Sequence, residues 1–168
     1  MGDTHYLEKI VSGGQTGVDR AALDAALDHQ FPCGGYCPKG RRAEDGDIPA
    51  RYPLEEHAST HYPRRTLANI LSSDGTLIVY AQSLKGGTAL TATYCRRHQQ
   101  PFILVDAQRL SIEEAACRAM EFFCRFDVRC LNVAGPRYSQ WPAGYRYTYR
   151  CIDHILKTCV QGDECHSS

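Results

Sequence analysis

The sequence lacks the features that mark membrane proteins, secreted proteins and nucleic-acid-binding proteins. Its 168 residues carry 19 basic and 19 acidic side chains, so the formal net charge at pH 7 is zero and no global field attracts nucleic acid or an anionic membrane. No apolar run approaches the roughly 18 residues that a membrane helix requires, and residues 1–6 do not resemble a signal peptide. We therefore expect a cytoplasmic protein that binds neither nucleic acid nor membrane, and in which any anion site is local.

Familiar catalytic and cofactor motifs are also missing. The histidines form no H-E-x-x-H pattern, no G-x-S-x-G segment is present, and no cysteine has a familiar nucleophile context. The first glycine-rich turn has neither the G-x-G-x-x-G spacing of dinucleotide-binding proteins nor the Gly-Lys-Ser/Thr ending of a P-loop. We assign no catalytic residue from these patterns.

The chain contains nine cysteines, which is a high number for its length. The number is odd and no signal peptide is evident, so reduced and buried thiols are favoured over a disulfide framework. Cys117 and Cys124, seven residues apart in one helical pattern, are predicted to lie on a packed helix face.

One arrangement of cysteines and histidines has the residue types of a zinc site. Cys33 and Cys37 form a C-x3-C pair, and His57 and His61 form an H-x3-H pair further along. The gap between the pairs is longer than in a zinc finger, and it is rich in proline and charge. Solvated histidines and packed thiols are the favoured interpretation, and no metal site is assigned.

Apolar runs and helical patterns alternate along the whole chain. We predict strands over residues 7–12, 31–36, 75–80, 102–105 and 130–134, and helices over residues 18–29, 62–71, 89–97, 111–123 and 143–160. Ser111, three residues before Glu114, is predicted to cap its helix. Most strands lack polar alternation, which is typical of an α/β fold with a mostly parallel sheet and helices on both faces. We expect a single domain over residues 1–168, with a core over residues 7–160 and a loose tail over 161–168.

Three glycine-containing turns follow predicted strands. Gly13-Gly14-Gln15-Thr16-Gly17 leads from the first strand into the first helix, Gly86-Gly87-Thr88 opens another helix, and Gly135-Pro136-Arg137 follows the strand at 130–134. Ligands of parallel sheets bind at the carboxyl ends of the strands, and the start of a helix presents backbone N–H groups to an anion. The three turns therefore predict a site for a phosphate or another anion, although the glycines are also compatible with tight turns alone.

Four basic side chains are candidates to balance the charge of that anion. Arg65 lies in the first turn of a predicted helix, where the dipole disfavours a cation unless an anion or a carboxylate is close. Arg137 follows the third glycine turn, and Arg20, in the first turn of the first helix, is either a ligand contact or a structural partner. Lys39 belongs to the segment 37–62, whose prolines and glycines suit a cover over the site.

Segments through most of the chain carry a likeness to a known family. They are Gly13-Gly14-Gln15-Thr16-Gly17-Val18-Asp19-Arg20-Ala21-Ala22-Leu23, Cys37-Pro38-Lys39-Gly40-Arg41, Ala43-Glu44-Asp45-Gly46, Tyr62 with Arg65-Thr66 and Asn69, Ser73-Asp74-Gly75-Thr76-Leu77-Ile78, Gly86-Gly87-Thr88 with Leu90-Thr91, and Leu131-Asn132-Val133-Ala134-Gly135-Pro136-Arg137. These segments resemble the putative molybdenum carrier family. The resemblance implies a Rossmann-like three-layer sandwich that is often a homo-oligomer, a dimer or tetramer. It also implies kinship with carriers of the pterin–molybdenum cofactor and, more distantly, with proteins that sense or cleave nucleotides.

The resemblance leaves more than one function open. A carrier would hold the molybdenum cofactor (molybdopterin), molybdate or a nucleotide-like ligand by its phosphate or oxyanion. Related phosphoribohydrolases have a proline before the Gly-Gly-Thr motif and a catalytic glutamate after it, whereas this chain has Lys85 before it and no carboxylate at residues 89–93. Binding is therefore favoured over cleavage of a nucleoside monophosphate, and a nucleotide-sensing protein is a further alternative. The predicted ligand-binding residues are Gly13, Gly14, Gln15, Thr16, Gly17, Arg20, Lys39, Arg65, Thr66, Gly86, Gly87, Thr88 and Arg137.

Overall fold

Nine strands and five helices make up residues 7–164, the part of the protein that the computed structural model describes. The strands are β1 (Lys9–Val11), β2 (Cys33–Gly34), β3 (Tyr36–Cys37), β4 (Arg42–Ala43), β5 (Gly46–Asp47), β6 (Glu55–Glu56), β7 (Gly75–Tyr80), β8 (Phe102–Asp106) and β9 (Cys130–Ala134). The helices are α1 (Val18–Asp28), α2 (Tyr62–Leu71), α3 (Gly86–Arg97), α4 (Ile112–Phe126) and α5 (Ala143–Glu164).

Five of the strands form one sheet in the order β2-β1-β9-β7-β8, and every pairing in it is parallel. Leu131 of β9 pairs with Ile10 of β1 on one side and with Gly75 of β7 on the other, so β9 lies between β1 and β7. Helix α5 packs against both α1 and α4, and α2 packs against α3. The predicted α/β Rossmann-like sandwich is therefore confirmed.

The larger hydrophobic core lies among the sheet, α1, α4 and α5. Ala22 and Ala25 of α1 are fully buried, and their small side chains allow α1 to approach α5 closely. Phe123 of α4 is also fully buried, and removing such a side chain from water stabilises the fold by about 1.5–3 kcal/mol. This packing fixes the position of α1, whose first turn reaches the site described below.

Several predicted elements have the expected bounds. Helix α2 and strands β7 and β9 begin and end where the sequence predicts, because each is a clear apolar or amphipathic run between polar boundaries. Ser111 caps α4 as expected: its Oγ accepts a hydrogen bond from Glu114 N at 3.2 Å, and Ser111 N donates to Glu114 Oε2 at 2.8 Å. These reciprocal bonds satisfy two backbone donors at the start of α4.

The prediction for Cys117 and Cys124 is wrong. Both side chains are exposed, because α4 turns the face that holds Ala115, Ala119 and Phe123 toward the core instead. Among the described residues eight cysteines are free thiols, and Cys151, on α5, is fully buried.

The segment between β2 and α2 is more ordered than the sequence predicts. The predicted strand at 31–36 divides at Gly35, whose φ of 127° turns the chain and whose missing Cβ avoids Ser12 O. Beyond it, β3 pairs with β6 in parallel, and β4 and β5 form an antiparallel hairpin. Arg41 holds the segment together, because its guanidinium donates to the backbone oxygens of Ile48, Pro49, Tyr52 and Leu54.

A second, smaller core lies under this segment. It contains Leu23 of α1 together with Cys37, Ile48, Tyr52 and Leu54. The segment is therefore anchored to α1 by buried apolar contacts as well as by hydrogen bonds.

Helix α5 is longer than predicted. The prediction ends it at residue 160, whereas the helix continues to Glu164 because no proline interrupts it there. The remainder of the predicted tail, residues 165–168, lies outside the described residues. Over residues 7–164, none of the helices is long and apolar enough to cross a membrane.

Candidate functional site

A cleft opens at the carboxyl ends of β1 and β9, with α2 and α3 on its other side. Its volume is about 70 Å³, which is well above the roughly 10–15 Å³ that one water molecule needs. The residues that line it are Gly13, Gln15, Asp19, Tyr62, Arg65, Thr66, Asn69, Gly87, Thr88, Thr91, Asn132, Val133, Ala134, Gly135, Arg137 and Gln140. The three glycine-containing turns thus all contribute to one polar cleft.

The floor of the cleft is built on the central strand β9. Asn132 is buried, and its Nδ2 donates to Thr76 Oγ1 of β7 at 3.3 Å. Ser12, which follows β1, donates its hydroxyl to Val133 O at 2.7 Å. These bonds join three neighbouring strands at the edge where the turns meet.

Arg65 carries the main positive charge of the cleft. Its residue is 5% exposed, and its guanidinium lies 4.2 Å from the centre of the Tyr62 ring. Nη1 lies 3.5 Å from Asp19 Oδ2, whereas Nε has no hydrogen-bond partner among the described residues. A Cβ at Gly13 would overlap Nη1, so only glycine leaves room for this arginine. A buried guanidinium with an unpaired N–H is poised to receive an acceptor from a ligand.

Asp19 is the acidic partner of Arg65. It lies in the first turn of α1 and is 6% exposed. Burial raises the pKa of its carboxyl from 3.8 to about 6, although attraction to Arg65 and a hydrogen bond from Gln15 N act in the opposite direction. The cleft therefore contains a carboxyl group that titrates close to neutral pH.

Seven predicted ligand-binding residues line the cleft. They are Gly13, Gln15, Arg65, Thr66, Gly87, Thr88 and Arg137. Each of the three turns supplies at least one of them, and α2 supplies Arg65 and Thr66.

Thr16 and Arg20 lie outside the cleft and are paired with the β4–β5 hairpin. The Thr16 hydroxyl donates to the Glu44 carboxylate and accepts from Tyr138 N at 3.1 Å. Arg20 Nε donates to Gly14 O at 3.1 Å, and the guanidinium forms a two-bond pair with the Asp45 carboxylate. The Glu44 and Asp45 carboxylates of the hairpin therefore bind Thr16 and Arg20, two residues that the sequence predicts as contacts of an anionic ligand.

The Glu44 carboxylate joins the first glycine turn to the loop after β9. It accepts hydrogen bonds from the Ser139 backbone and hydroxyl as well as from Thr16. Although partial burial opposes the effect, these bonds hold the pKa of Glu44 below its usual value. The hairpin is therefore fastened to the outer side of the turn, and none of residues 37–61 lines the cleft.

The other predicted residues also lie outside the cleft. Gly14 faces the second core, where a Cβ would overlap Leu54, and Gly17 precedes α1 with a φ of 82°. Gly86 is the first residue of α3. Lys39 lines a separate cavity with His57 and Arg64.

The cleft also contains polar residues that the sequence analysis does not propose as ligand contacts, among them Asn132, Thr91 and Gln140. Asn132 leaves a signal, since it is the polar residue in the otherwise apolar strand β9. Thr91 belongs to a segment that resembles the family, whereas Gln140 leaves no signal, because ordinary loop positions carry similar residues. Asp19 lies within the first segment that resembles the family, and its burial beside Arg65 is visible only in the folded protein.

The cysteine and histidine pairs that have the residue types of a zinc site do not form a cluster of metal ligands. Among the side chains that the structure describes, those of residues 7–159, no three His, Cys, Asp or Glu come together in a way that could hold a metal ion. Cys37 is fully buried in the second core, where burial raises the pKa of its thiol. The His57 ring instead packs against the Tyr36 ring in an edge-to-face arrangement, with the two ring centres 6.2 Å apart.

Comparisons with known proteins agree with this architecture. A crystal structure of a protein from Syntrophus aciditrophicus SB, named "Putative molybdenum carrier protein", is 44% identical to this chain, with a TM-score of 0.87. The match covers 89% of this chain and 95% of that one. No curated protein matches the sequence. The sequence profile described as the Circularly permutated YpsA SLOG family matches residues 10–156. The likeness to molybdenum carriers in the sequence analysis is thus confirmed, and the chain belongs to the Circularly permutated YpsA SLOG family.

Proposed function

We propose that the protein binds and carries an anionic ligand through a phosphate or oxyanion group held in the cleft. The observation that supports this function is the Arg65 guanidinium, which is buried at the cleft with an unpaired Nε–H. Burying a cation costs free energy unless charge and hydrogen bonds compensate. The Asp19 carboxylate, 3.5 Å from Nη1, offsets part of this free-energy cost, and a bound anion would offset the remainder.

Helix geometry adds to the attraction for an anion. Gly87 and Thr88, in the first turn of α3, line the cleft, and α3 begins without a side-chain cap. The positive end of a helix dipole stabilises a nearby anion by about 0.3–1 kcal/mol. Arg137, half exposed at the rim and 4.0 Å from the Glu44 carboxylate through its Nε, adds a second cation.

A molybdenum cofactor or molybdate is one ligand that fits this chemistry. The name of the Syntrophus aciditrophicus protein points to molybdenum, and the unpaired Arg65 Nε suits the phosphate of the cofactor or a free oxyanion. Arg65, Thr88 and Arg137 would hold that group. Because the described residues offer no cluster of metal-binding side chains, the protein would grip the ligand by its oxygens.

A second candidate function is cleavage of a nucleoside monophosphate. Residues 89–93 lack the carboxylate of the related hydrolases, but Asp19 places a carboxyl group in the cleft from α1. Its pKa of about 6 suits general acid–base chemistry near neutral pH. In that reaction Asp19 would give a proton to the departing base, and water would add to the sugar carbon.

Titration calorimetry on two variants tests the proposal. Inorganic phosphate, molybdate and AMP are titrated into the wild type, Arg65→Gln and Arg64→Gln. Arg64 is the exposed neighbour on the same helix and serves as the matched control. A charge-assisted hydrogen bond is worth about 1.5–3 kcal/mol, so Arg65→Gln should weaken binding by about 10- to 100-fold, while Arg64→Gln changes little.

Two outcomes would redirect the proposal. Unchanged affinity in a folded Arg65→Gln variant, checked by circular dichroism, would remove the cleft from consideration as the anion site. Release of free adenine during the AMP titration, lost in Asp19→Asn, would favour the hydrolase over the carrier.

A further inference from the structure

The buried positive charge of the cleft already has an acidic neighbour. Nη1 of Arg65 lies 3.5 Å from Asp19 Oδ2, and both residues are buried. Oδ2 also accepts a hydrogen bond from Gln15 N at 3.4 Å, which holds the carboxyl at the start of α1. Asp19 and Arg65 line the same cleft, and Arg65 Nε has no hydrogen-bond partner among the described residues. An anion that binds to Nε would therefore share the guanidinium with Asp19.

The guanidinium cannot neutralise an ionised Asp19 and a bound dianion together. It carries one positive charge, so a dianion beside the ion pair would leave two negative charges without a buried partner. Because Nε and Nη1 belong to one planar group, an anion hydrogen-bonded to Nε would lie within about 9 Å of the Asp19 carboxyl. Like charges this close in a buried site repel each other. A proton on Asp19 removes the repulsion and leaves the charge of Arg65 to the anion.

Two other arginines near Asp19 do not replace this proton. Arg137, at the rim of the cleft after β9, is half exposed and lies 4.0 Å from the Glu44 carboxylate. Arg20, the next residue of α1, is paired with the Asp45 carboxylate at 2.8 Å. Each of these cations therefore has an acidic partner of its own on the β4–β5 hairpin.

The elements on the other sides of the Asp19–Arg65 pair add no further charge to the cleft. Tyr62 of α2 contributes its ring, whose centre lies 4.2 Å from the Arg65 guanidinium. From β3, the charge of Arg65 acts on the buried Cys37, but burial has the larger effect and raises the pKa of the thiol, which stays neutral. The residues of α3 that line the cleft are uncharged: Gly87, Thr88 and Thr91. Among the lining residues, the Asp19 carboxyl is thus the group that can exchange a proton near neutral pH.

Burial prepares the Asp19 carboxyl to accept a proton. It raises the pKa of this carboxyl from 3.8 to about 6, against the attraction of Arg65 and the hydrogen bond from Gln15 N. A negative charge on the other side of the guanidinium acts in the same direction as burial and raises the pKa further. Near neutral pH, Asp19 is therefore mostly ionised in the free protein, and a bound dianion draws a proton to it from solution.

We propose that Asp19 makes the cleft select anions by their protonation: the cleft binds an oxyanion together with one proton, which lies between the Asp19 carboxyl and an oxygen of the anion. The inference rests on the proposed function, since it needs the anion to lie beside Arg65. An anion with its own proton, such as hydrogen phosphate, donates it to the ionised carboxylate. Sulfate and molybdate have no proton to donate near neutral pH, so Asp19 takes one from solution and donates its O–H to the anion. Asp19 therefore determines specificity, because at neutral and higher pH it favours oxyanions that carry a proton.

Calorimetric titration of sulfate at several pH values measures the required proton. Sulfate remains a dianion between about pH 5.5 and about pH 8, so a change of its affinity in this range comes from the protein. The affinity of the wild type for sulfate should fall at least about tenfold from the lower to the higher pH, because sulfate binds with Asp19 protonated. Near neutral pH, titrations in two buffers of different ionisation enthalpy should show the uptake of about half a proton or more per sulfate.

Phosphate and two variants assign the effect to Asp19. At about pH 8 the wild type should bind phosphate about tenfold or more tightly than sulfate, because phosphate still carries a proton there. Asp19→Asn has a neutral amide that can donate to either anion, so it should bind sulfate equally at both pH values and lose the preference for phosphate. Asp47→Asn is the matched control, because it makes the same chemical change at an exposed carboxyl outside the cleft and should behave like the wild type.

The outcomes distinguish this inference from the proposed function. If the wild type binds sulfate with the same affinity at every pH and without proton uptake, the role of Asp19 is overturned and the anion site remains. A pH dependence or a phosphate preference that survives in Asp19→Asn, shown to be folded by circular dichroism, would overturn it as well. Failure of both phosphate and sulfate to bind the wild type at any pH would instead refute the proposed function.

Discussion

Replacing Asp19 with asparagine should stabilise the protein at neutral pH. The carboxyl has a pKa of about 6 in the folded protein and 3.8 as its ordinary value. Because the folded value is the higher one, the stability that the protonated group provides is complete below about pH 3.8 and disappears as the pH rises through 6. At about 1.4 kcal/mol per pH unit, ionised Asp19 costs the fold about 3 kcal/mol above pH 6. Attraction to Arg65 already lowers this pKa, so the figure is the cost that remains after pairing.

The Asp19→Asn prediction is tested by urea unfolding at several pH values. Asparagine resembles the protonated carboxyl in shape and carries no charge, so the variant and the wild type should be equally stable near pH 4. The free energy of unfolding of Asp19→Asn should then exceed that of the wild type increasingly up to about pH 6, and by up to about 3 kcal/mol beyond. A second variant, Asp45→Asn, is the control of opposite sign, because the bond with Arg20 holds the pKa of Asp45 below its usual value. A less stable Asp19→Asn at pH 7.5, or a difference independent of pH, would refute the reasoning.

Two further predictions concern single contacts. Gly13→Ala should lower the midpoint of thermal unfolding and weaken phosphate binding, since the added Cβ would displace Arg65 Nη1. In the control variant Gly87→Ala the added Cβ meets no atom within 4 Å, so the midpoint should not change. Equal midpoints for the two variants would contradict the close approach of Gly13 and Arg65. Ser111→Ala removes the cap of α4 and should lower the free energy of urea unfolding by about 1 kcal/mol. A loss below about 0.5 kcal/mol, the usual range of surface substitutions, would speak against the capping box.

The long regular elements were predictable because their signals are local. Strand β7 is an apolar run that begins after Asp74, so both of its ends can be predicted from the sequence. The two-residue strands β3 to β6 have no such signal, since too few residues are present for a period to appear. Their pairing depends on Arg41 and on the apolar side chains beneath them, which come together only in the fold.

The location of the candidate site was predictable from the sequence, whereas the side chains with which its residues pair were not. The three glycine turns meet at one edge because parallel strands end there, which is a property of the topology. The sequence does not indicate that Thr16 and Arg20 are engaged by Glu44 and Asp45, 28 and 25 residues further on. Nor does it separate Arg65 from the exposed Arg64 beside it, because both lie in the first turn of α2 and burial is set by helix packing.

The cleft cannot form until β9 has joined the sheet. This last strand lies in the middle of the sheet, and Ser12 reaches Val133 across 121 residues of sequence. Contacts so distant in sequence form late, since closing the intervening loop costs entropy before any contact repays it. A nascent chain that stops before residue 130 has both the Arg65 helix and the first glycine turn, yet it has no floor between them. Under the proposed function, ligand binding would therefore begin only after the central strand has been inserted between β1 and β7.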